Sequence, residues 1–218
     1  TEHKNSSFLI SEKNYRFDPG GGISRLSRAV REGDGVKVFS FLESLQYPDV
    51  TRVSPDHENW REEIWREVQD WFLSYSSAAD ISEVFRQFEQ FRILCALREG
   101  PQGANTINAI IEERVKKNIL TGPAAIWYPG RPVMVVRNDY HLQLFNGDVG
   151  IALKNGEGRL RVWFFNGEEI RRFHPRRLPE HETVYVMTVH KSQGTEFGRV
   201  QLILPEIDAP VVTRELLY

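Results

Sequence analysis

Apolar residues recur at helical spacing in four segments of the first 120 residues. Residues 23–32, 81–88 and 104–119 are predicted to be helices because their apolar positions lie three or four residues apart. A fourth helix is predicted to begin near Ser54 and Pro55, since serine is a good N-cap and proline favours the first helical turn. Its apolar face consists of Trp60, Ile64, Val68, Trp71 and Phe72. This period indicates a core-facing helix more strongly than a platform on which bases stack.

Short, continuous apolar runs predict buried strands at residues 7–10 and 91–97, and again at 184–188 and 200–204. The run at 91–97 leads through a Gly-Pro turn into the helix at 104–119. A strand, a turn and a helix in this order are typical of an α/β sheet. The sequence therefore predicts an α/β fold.

The pattern changes after Gly122 and Pro123. From residue 132 onward, short β-rich runs alternate with turns that contain Asn-Gly pairs, and these pairs favour tight hairpins. The runs are residues 133–136, 149–153, 160–165 and 169–173. Such closely spaced hairpins predict a small closed β-barrel. Because the pattern of buried strands resumes at residue 184, the barrel is predicted to be an insertion, which divides the chain into residues 1–127, 128–180 and 181–218.

Composition and charge narrow the class of protein. With 40% hydrophobic and 27% charged residues the chain is expected to be globular, and its net charge of −2 argues against a histone-like polycation. Residues 128–180 carry nine Lys and Arg against six Asp and Glu, whereas the rest of the chain carries 19 against 24. A basic segment on an acidic body can favour a polyanion locally, although a solvated basic face explains the charge equally well.

Other features concern the cellular setting and the covalent chemistry. No apolar stretch approaches the roughly 20 residues of a membrane-spanning helix, and the first residues lack the apolar core of a secretory signal, so we expect a soluble, cytoplasmic protein. Cys95 is the only cysteine, which excludes an intrachain disulfide, and it is predicted to be a small buried hydrophobe. The chain begins with Thr1 and stops inside the helix-like stretch 213–218, so we expect a fragment of a longer protein.

Residues 188–197 form the densest polar cluster, at the end of the predicted strand 184–188. Open α/β sheets bind ligands at the carboxyl ends of their strands. His190 is not expected to be a catalytic base, because no serine or cysteine elbow and no second histidine at metal-ligand spacing accompany it. The basic pairs Arg171-Arg172 and Arg176-Arg177 fit a patch that faces phosphate or a partner as well as they fit a solvated face.

Several segments resemble helicase motifs, in the order in which the family has them. Residues 188–197, with the core His-Lys-Ser-Gln-Gly, look like motif V of superfamily 1 helicases, and that core resembles the 5′→3′ branch. Residues 13–17 resemble motif IV, residues 94–101 resemble the segment called IVa, and residues 213–218 are similar to the opening of motif VI. Within this branch the chain resembles the RecD-type alpha subunits of exodeoxyribonuclease V. Two further segments support this likeness, residues 144–150 and 177–183.

The resemblance implies a fold and half of an ATP site. The implied fold is α/β, a RecA-like motor domain (2A) interrupted by a small SH3-like β-barrel (2B). Arg16 matches the motif IV arginine that reaches the γ-phosphate and is the implied catalytic residue. Tyr15 matches a position near the adenine, where core packing is equally plausible. Gly194 and Glu196 match the backbone approach to the nucleotide and the carboxylate that accepts a hydrogen bond from a ribose hydroxyl.

The resemblance also implies contacts with single-stranded DNA, made by groups that bond phosphates without reading sequence. The implied nucleic-acid-binding residues are Thr188, His190, Lys191, Arg137, Asn138 and Asn146. The last three belong to barrel loops close to the DNA path, although a hairpin turn explains Asn146-Gly147 equally well. No metal ligand is predicted in the chain.

The implied function is ATP-driven 5′→3′ unwinding by a subunit of a DNA-end-processing helicase and nuclease, acting in recombinational double-strand-break repair. ATP with Mg²⁺ is the implied cofactor, and the beta and gamma subunits of exodeoxyribonuclease V are the implied protein partners. The sequence contains no Gly-x-x-x-x-Gly-Lys-Ser/Thr phosphate-binding loop. The Mg²⁺ ligands are therefore expected in a preceding N-terminal domain, and the chain alone is predicted to be inactive.

The sequence leaves two alternative functions open. One is a stand-alone 5′→3′ helicase of the same branch, which works without nuclease partners. The other is a non-enzymatic adaptor in which the barrel binds a peptide. A binding surface for the beta and gamma subunits would distinguish an exodeoxyribonuclease V subunit from the stand-alone helicase. Dependence of unwinding on Arg16 and Glu196 would exclude the adaptor.

Overall fold

The structure is a computed structural model that describes residues 8–12, 21–44, 46–53, 60–120, 125–205, 213 and 216, with only the backbone of 8–12 and 53. Contacts divide the chain into two compact units. Unit 1 consists of Thr1–Glu62, Glu89–Ile107 and Val186–Tyr218, and unit 2 consists of Glu63–Phe88 and Asn108–Tyr185. Within the described ranges, no helix has the length and apolar character needed to cross a membrane.

Both units contain helices and strands. In chain order the elements are β1 (Phe8–Glu12), α1 (Gly22–Glu32), α2 (Gly35–Glu43), β2 (Val50–Val53), α3 (Trp60–Ser76), α4 (Ile81–Phe88), β3 (Phe91–Cys95), α5 (Ala104–Asn118), β4 (Pro132–Val135), β5 (Val149–Lys154), β6 (Leu160–Phe165), β7 (Ile170–Phe173), β8 (His181–Thr183), β9 (Val186–Thr188) and β10 (Arg199–Ile203), with 3₁₀ turns at Pro175–Arg177 and Val189–Ser192.

The predicted helices at 23–32, 81–88 and 104–119 are confirmed as α1, α4 and α5. The predicted helix with the tryptophan face is confirmed as α3 from Trp60 onward, while its expected start at Ser54 lies outside the described residues. Helix α2 and strand β2 were not expected from the sequence.

The sheet of unit 1 has the strand order β2-β1-β10-β3-β9. Strands β10, β3 and β9 are parallel, whereas β1 is antiparallel to both β10 and β2. All five residues of β3 are buried, as expected of a parallel strand covered on both faces. The register places Cys95, at the end of β3, beside Thr188 of β9 and Ile203 of β10. The carboxyl ends of three parallel strands therefore share one edge, and the α/β prediction is confirmed.

Cys95 and the strand predicted at residues 184–188 can both be compared with the expectations from the sequence. The Cys95 side chain is completely buried, and burial raises the pKa of its thiol, so it packs as the predicted hydrophobe. The predicted strand 184–188 is wrong in its bounds, because β8 pairs with β4 of unit 2 while β9 pairs with β3 of unit 1. Between them the chain passes from one sheet to the other at Val184 and Tyr185.

The sheet of unit 2 is antiparallel throughout, with the strand order β7-β6-β5-β4-β8. The predicted closed barrel is not found in the part of the chain that the structure describes, where β7 and β8 are the edge strands. A 3₁₀ turn at Pro175–Arg177, rather than a hairpin, joins these two edges. Its first residue is proline, which has no N–H to donate to a strand pair. The core of this sheet consists of Val133, Val135, Leu144, Ala152, Val162 and Phe164.

The helices of unit 2 pack their aromatic residues together. The Trp71 ring stacks on Phe88 with centroids 5.0 Å apart, and its Nε1 donates to the Phe88 carbonyl oxygen at 3.1 Å. The Tyr75 hydroxyl donates to the carbonyl oxygen of Gly130 at 2.8 Å. Gly130 has no room for a side chain, because a Cβ there would lie 2.6 Å from the Phe72 ring. The aromatic face of α3 is therefore core, as the sequence analysis favoured.

A polar network ties α5 to strands β4 and β8 of unit 2. The Arg131 Nη2 donates to the Thr183 hydroxyl at 2.8 Å, and this hydroxyl donates to Glu112 Oε2 at 3.2 Å. The hydroxyl oxygens of Tyr128 and Tyr185 lie 2.9 Å apart, and burial raises the pKa of both phenols. Both tyrosines are consequently neutral, hydrogen-bonding core residues.

Candidate functional site

The first candidate region is the turn that follows β9 in unit 1, residues 188–197. Thr188 ends β9 at the carboxyl edge shared by the three parallel strands, and the 3₁₀ turn Val189–Ser192 follows directly. This edge is where open α/β sheets place ligands. The segment that resembles motif V therefore lies at this edge of the sheet.

Short-range bonds shape this turn. The Ser192 hydroxyl donates to the Val189 carbonyl oxygen at 2.7 Å, and the Thr195 N–H donates to the Ser192 carbonyl oxygen at 3.0 Å. Gly194 has a φ of 84°, and a Cβ on it would meet nothing within 4 Å. Phe197 is buried at the end of the turn, with the Arg92 guanidinium 5.0 Å from its ring centroid. Open space therefore lies beside the backbone of Gly194.

The side chains on this turn differ in exposure. His190 and Glu196 are exposed, Thr188 and Lys191 are half-buried, and Ser192 is buried. The turn therefore displays an imidazole, an ammonium and a hydroxyl together with one carboxylate, a set that suits hydrogen bonds to phosphates and to a sugar. Ser192 is not placed as a nucleophile, since its hydroxyl bonds the backbone.

Segment 96–103 forms the neighbouring part of the same edge, after β3. The Ala96 N–H donates to the Ile203 carbonyl oxygen, and the carbonyl oxygens of Leu97 and Arg98 accept from the first N–H groups of α5. A Cβ on Gly103 would lie 2.4 Å from the backbone of Glu99, so only glycine fits there. The segment that resembles IVa is therefore a tight connection into α5.

The second candidate region is the loop of residues 136–148, between β4 and β5 of unit 2. Side-chain oxygens bond four of its backbone N–H groups. Asp139 Oδ1 accepts from His141 and Leu142 at 3.0 Å, Asp148 Oδ2 accepts from Phe145 at 2.8 Å, and Asn138 Oδ1 accepts from Asn146 at 2.8 Å. The fully buried Leu144 anchors the loop in the core of the sheet. The loop is therefore held in one shape by its own sequence.

Arg171 holds the same loop from β7. Its Nη1 donates to the carbonyl oxygens of Leu142 at 3.2 Å and Gln143 at 2.7 Å. The neighbouring Arg172 instead lies with its guanidinium 5.5 Å from the Trp163 ring centroid. The two arginines thus have different partners, and Arg171 contributes to the loop's structure rather than to a uniform basic patch. Arg176 and Arg177 are exposed.

Two aromatic residues of this loop were not predicted as site residues from the sequence. Tyr140 is 75% exposed and Phe145 is 44% exposed, and their rings meet edge to face with centroids 6.0 Å apart. Exposed aromatic faces are what single-stranded nucleic acids stack on. The sequence contains a signal for these two residues. Both flank polar turn residues, and neither belongs to a helical or strand period of apolar positions that would place it in the core.

The predicted site residues fall into three groups. Five lie together on the turn after β9: Thr188, His190, Lys191, Gly194 and Glu196. Three lie on the loop of unit 2: Arg137, Asn138 and Asn146, of which Asn138 and Asn146 are hydrogen-bonded to each other. Tyr15 and Arg16 lie outside the described residues, as does most of segment 213–218. In the described ranges, no three His, Cys, Asp or Glu side chains are grouped so that they could hold a metal ion.

No protein-family model matches the chain. The chain is 30% identical over 230 residues to the RecBCD enzyme subunit RecD of Buchnera aphidicola subsp. Acyrthosiphon pisum, a match that covers 100% of the chain and 38% of that protein. It is 31% identical over 224 residues to the RecBCD enzyme subunit RecD of Haemophilus influenzae, covering 93% of the chain and 34% of that protein.

A shorter match relates the chain to the ATP-dependent RecD2 DNA helicase of Deinococcus radiodurans, with 32% identity over 132 residues, 58% of the chain and 18% of the helicase. The chain spans little more than a third of the length of the RecD proteins that it matches. Because the likeness extends over nearly the whole chain at about 30% identity, the chain belongs to the RecD family.

Proposed function

We propose that this chain is the C-terminal motor part of an ATP-dependent 5′→3′ DNA helicase subunit of exodeoxyribonuclease V, acting in DNA-end processing and recombinational double-strand-break repair. The observation that carries the proposal is the position of residues 188–197 at the shared carboxyl edge of β3, β9 and β10. In this assignment residues 1–127 and 181–218 form domain 2A, and residues 128–180 form the SH3-like subdomain 2B. The antiparallel arrangement of β4 to β7, which lie within residues 128–180, supports the second part.

The turn after β9 suits one side of a bound nucleotide. The positive φ of Gly194 and the open space beside it allow a ligand to approach the backbone closely. In this proposal the carboxylate of Glu196, an exposed residue two positions later, accepts a hydrogen bond from a ribose hydroxyl. In this proposal Arg16 contacts the γ-phosphate, and Tyr15 packs near the adenine. ATP supplies the free energy for movement, and this chain binds and orients it.

Single-stranded DNA is the proposed second ligand. The hydroxyl of Thr188, the imidazole of His190 and the ammonium of Lys191 donate to phosphates without reading sequence. The loop of residues 136–148 contributes Arg137, Asn138 and Asn146. The exposed rings of Tyr140 and Phe145 support this part of the proposal, because base stacking tolerates any sequence.

The proposal also names protein partners and predicts that the isolated chain is inactive. RecB and RecC, the beta and gamma subunits, are the proposed protein partners, and Mg²⁺ accompanies ATP with ligands in a preceding N-terminal domain. The phosphate-binding loop motif is absent from the 218 residues. We therefore expect the isolated chain to show no DNA-stimulated ATP hydrolysis.

The test of the nucleotide site uses the full-length protein assembled with RecB and RecC, and the ATP hydrolysis by RecB and RecC alone is subtracted. Glu196→Gln removes the acceptor charge and is expected to raise the KM for ATP at least tenfold, since a hydrogen bond to a charged group contributes about 1.5–3 kcal/mol. Glu168→Gln, the same change at an exposed glutamate between β6 and β7, is the matched control and should alter KM less than twofold. An unchanged KM in Glu196→Gln would remove Glu196 from the ATP site.

The test of the DNA contacts uses the salt dependence of single-strand binding. Replacing Arg137 with Ala should flatten the slope of log affinity against log salt by about 0.7, the loss of one phosphate contact. Phe145→Ala should leave the slope unchanged while it weakens binding by about 1–3 kcal/mol, because stacking involves no counterion release. Arg159→Ala, on the exposed hairpin between β5 and β6, is the control. Equal slopes for Arg137→Ala and Arg159→Ala would contradict a specific contact at Arg137.

A second candidate function is a stand-alone 5′→3′ DNA helicase. The match to the ATP-dependent RecD2 DNA helicase of Deinococcus radiodurans favours it. Affinity purification of the full-length protein separates the two candidates, since a subunit of the larger enzyme should retain RecB and RecC in equal amounts. Unwinding by a protein that retains neither would favour the stand-alone helicase.

A further inference from the structure

Strand β7 forms one edge of the unit 2 sheet, where it pairs with β6 alone. Opposed residues of an antiparallel pair alternate between those that exchange hydrogen bonds and those that do not. The Asn166 N–H donates to the Glu169 carbonyl oxygen at 3.4 Å, so this pair is a bonded one. Counting from it along the register, Ile170 and Arg172 belong to the pairs that exchange no bonds. Their N–H and C=O groups therefore point away from β6, toward the open edge.

These outward-facing backbone groups are available to a ligand. In the part of the chain that the structure describes, no backbone or side-chain group bonds them. Ile170 and Arg172 are both exposed. A row of alternating donors and acceptors at an exposed sheet edge is a template on which another strand can pair.

The edge is strongly basic. Residues 170–177 contain four arginines and no acidic residue. One of the four bonds the loop of residues 136–148, and the other three, Arg172, Arg176 and Arg177, are exposed. Within the described ranges, none of these three forms an ion pair. The nearest acidic residues in the sequence, Glu168 and Glu169, precede β7 in the hairpin.

Arg172 combines the open backbone with the charge. Its guanidinium lies 5.5 Å from the centroid of the Trp163 ring on the neighbouring strand. An arginine held against an aromatic ring keeps its N–H groups in the plane of the guanidinium, where they can bond a carboxylate. The side chain is therefore held in place before a ligand binds.

The chemistry of the edge distinguishes between possible occupants. A second copy of this strand would bring arginine-rich strands together, and like charges on paired strands are destabilising. The phosphodiester backbone of a nucleic acid offers only acceptors, so it would leave the C=O groups of Ile170 and Arg172 without donors. An extended peptide offers both donors and acceptors, and its carboxylates would match the arginines.

We propose that the β7 edge binds an extended acidic segment of a partner protein by strand addition. The backbone groups of Ile170 and Arg172 pair with the segment, and Arg172, Arg176 and Arg177 attract its carboxylates. This inference goes beyond the proposed function and does not depend on it.

The experiment measures peptide binding to the full-length protein by fluorescence anisotropy. The probe is a labelled, end-blocked peptide of alternating valine and glutamate. One control peptide has lysine in place of glutamate, and a second is N-methylated at two successive central residues, which removes donors from both of its edges. We expect each control peptide to bind at least tenfold more weakly than the probe, the first for its charge and the second for its lost pairing.

Two variants test the protein side. Arg172→Glu should weaken binding of the probe about tenfold, because a repulsion replaces an attraction. Arg28→Glu, the same change at an exposed arginine of α1, should alter it less than twofold. Ile170→Pro removes an outward-facing N–H and keeps the pairing with β6, so it should weaken binding about fivefold, the loss of one hydrogen bond. Ile170→Val keeps this N–H and should alter binding less than twofold.

Several results would overturn the proposal. They are equal binding of the glutamate and lysine peptides, equal binding of the N-methylated and unmodified peptides, or equal losses for Arg172→Glu and Arg28→Glu. Displacement of the probe by oligothymidylate that depends on Arg172 and tolerates Ile170→Pro would assign the edge to nucleic acid instead. A dimer that Ile170→Pro abolishes would assign it to a second copy. None of these measurements involves ATP hydrolysis or unwinding, so the proposed helicase function stands or fails separately.

Discussion

Residues 188–197 in unit 1 and residues 136–148 in unit 2 both join two strands and both display polar side chains, but they are shaped differently. In the loop of unit 2, side-chain oxygens bond four backbone N–H groups, and Arg171 bonds two carbonyl oxygens. In the turn of unit 1, the strand end sets the position and Ser192 bonds the backbone three residues back. The loop is fixed by side chains, and the turn is fixed by where its strand ends.

This difference indicates what each region is able to do. A loop whose backbone groups are bonded by its own side chains keeps exposed rings such as Tyr140 and Phe145 at a set spacing, which favours binding without rearrangement. The turn is closed at short range by the bond from Ser192 to Val189, and a short turn of this kind can open without the sheet. It can adjust its backbone when a ligand arrives, and segments that move are drawn from such regions. We therefore expect mutations in the loop to affect stability and mutations in the turn to affect local opening.

The largest expected effect is at the anchor of the loop. Leu144 is fully buried in the core of the unit 2 sheet, so Leu144→Ala should reduce the free energy of unfolding by about 2–5 kcal/mol. Denaturant unfolding followed by tryptophan fluorescence measures this change. The neighbouring Phe145→Ala removes a larger but half-exposed ring and should cost much less. A loss for Leu144→Ala below that of Phe145→Ala would show that the core does not hold the loop.

The next effect separates two adjacent arginines. Arg171→Ala leaves the carbonyl oxygens of Leu142 and Gln143 without their charged donor and should cost about 1.5–3 kcal/mol. Arg172→Ala loses a contact with the Trp163 ring and should cost about 0.5–1 kcal/mol. Hydrogen exchange of the loop amides should accelerate in the first variant only. Equal exchange in both variants would mean that the loop keeps its shape without Arg171.

The sequence was sufficient for α1, α4, α5, β3 and the position of the turn, but not for α2 or β2. Helical periodicity located α1, α4 and α5, and the continuous apolar run located β3, because these signals are local. The polar cluster after β9 was recognised from its position behind an apolar strand. Its place beside Cys95 then follows from the parallel pairing of β9 with β3.

Long-range contacts account for what the sequence did not predict. Arg171 bonds Gln143 across 28 residues, and no local pattern distinguishes it from Arg172. One apolar run at residues 184–188 concealed the change of sheet, because Val184 and Tyr185 are as buried as the β9 residues that follow. Closely spaced hairpins predicted closure of a barrel, yet closure depends on pairing between the first and last strands, which Asn-Gly turns do not determine.

Two glycines permit a like-for-like comparison of the regions. Gly194 in the turn and Gly147 in the loop have φ values of 84° and 100°, and a Cβ on either would meet nothing within 4 Å. Alanine at each should therefore cost about 1–2 kcal/mol of unfolding free energy from backbone strain alone. Gly156→Ala, on an open turn without a positive φ, is the control and should change stability by less than about 0.5 kcal/mol. If Gly147→Ala lowers the free energy of unfolding and Gly194→Ala does not, then the turn relaxes its backbone to accept a side chain.

The smallest expected effect tests whether the turn opens locally. Ser192→Ala removes the hydroxyl that donates to the Val189 carbonyl oxygen, and one neutral hydrogen bond contributes about 1 kcal/mol. Because this bond closes the 3₁₀ turn and lies outside the sheet, the cost should appear as faster hydrogen exchange of the amides at residues 193–196, by about fivefold, with the amides of β3 unchanged. Gln193→Ala, whose side chain is exposed, is the matched control. If the β3 amides accelerate as much as those of the turn, then the turn and the sheet open together, and the contrast with the loop of unit 2 is lost.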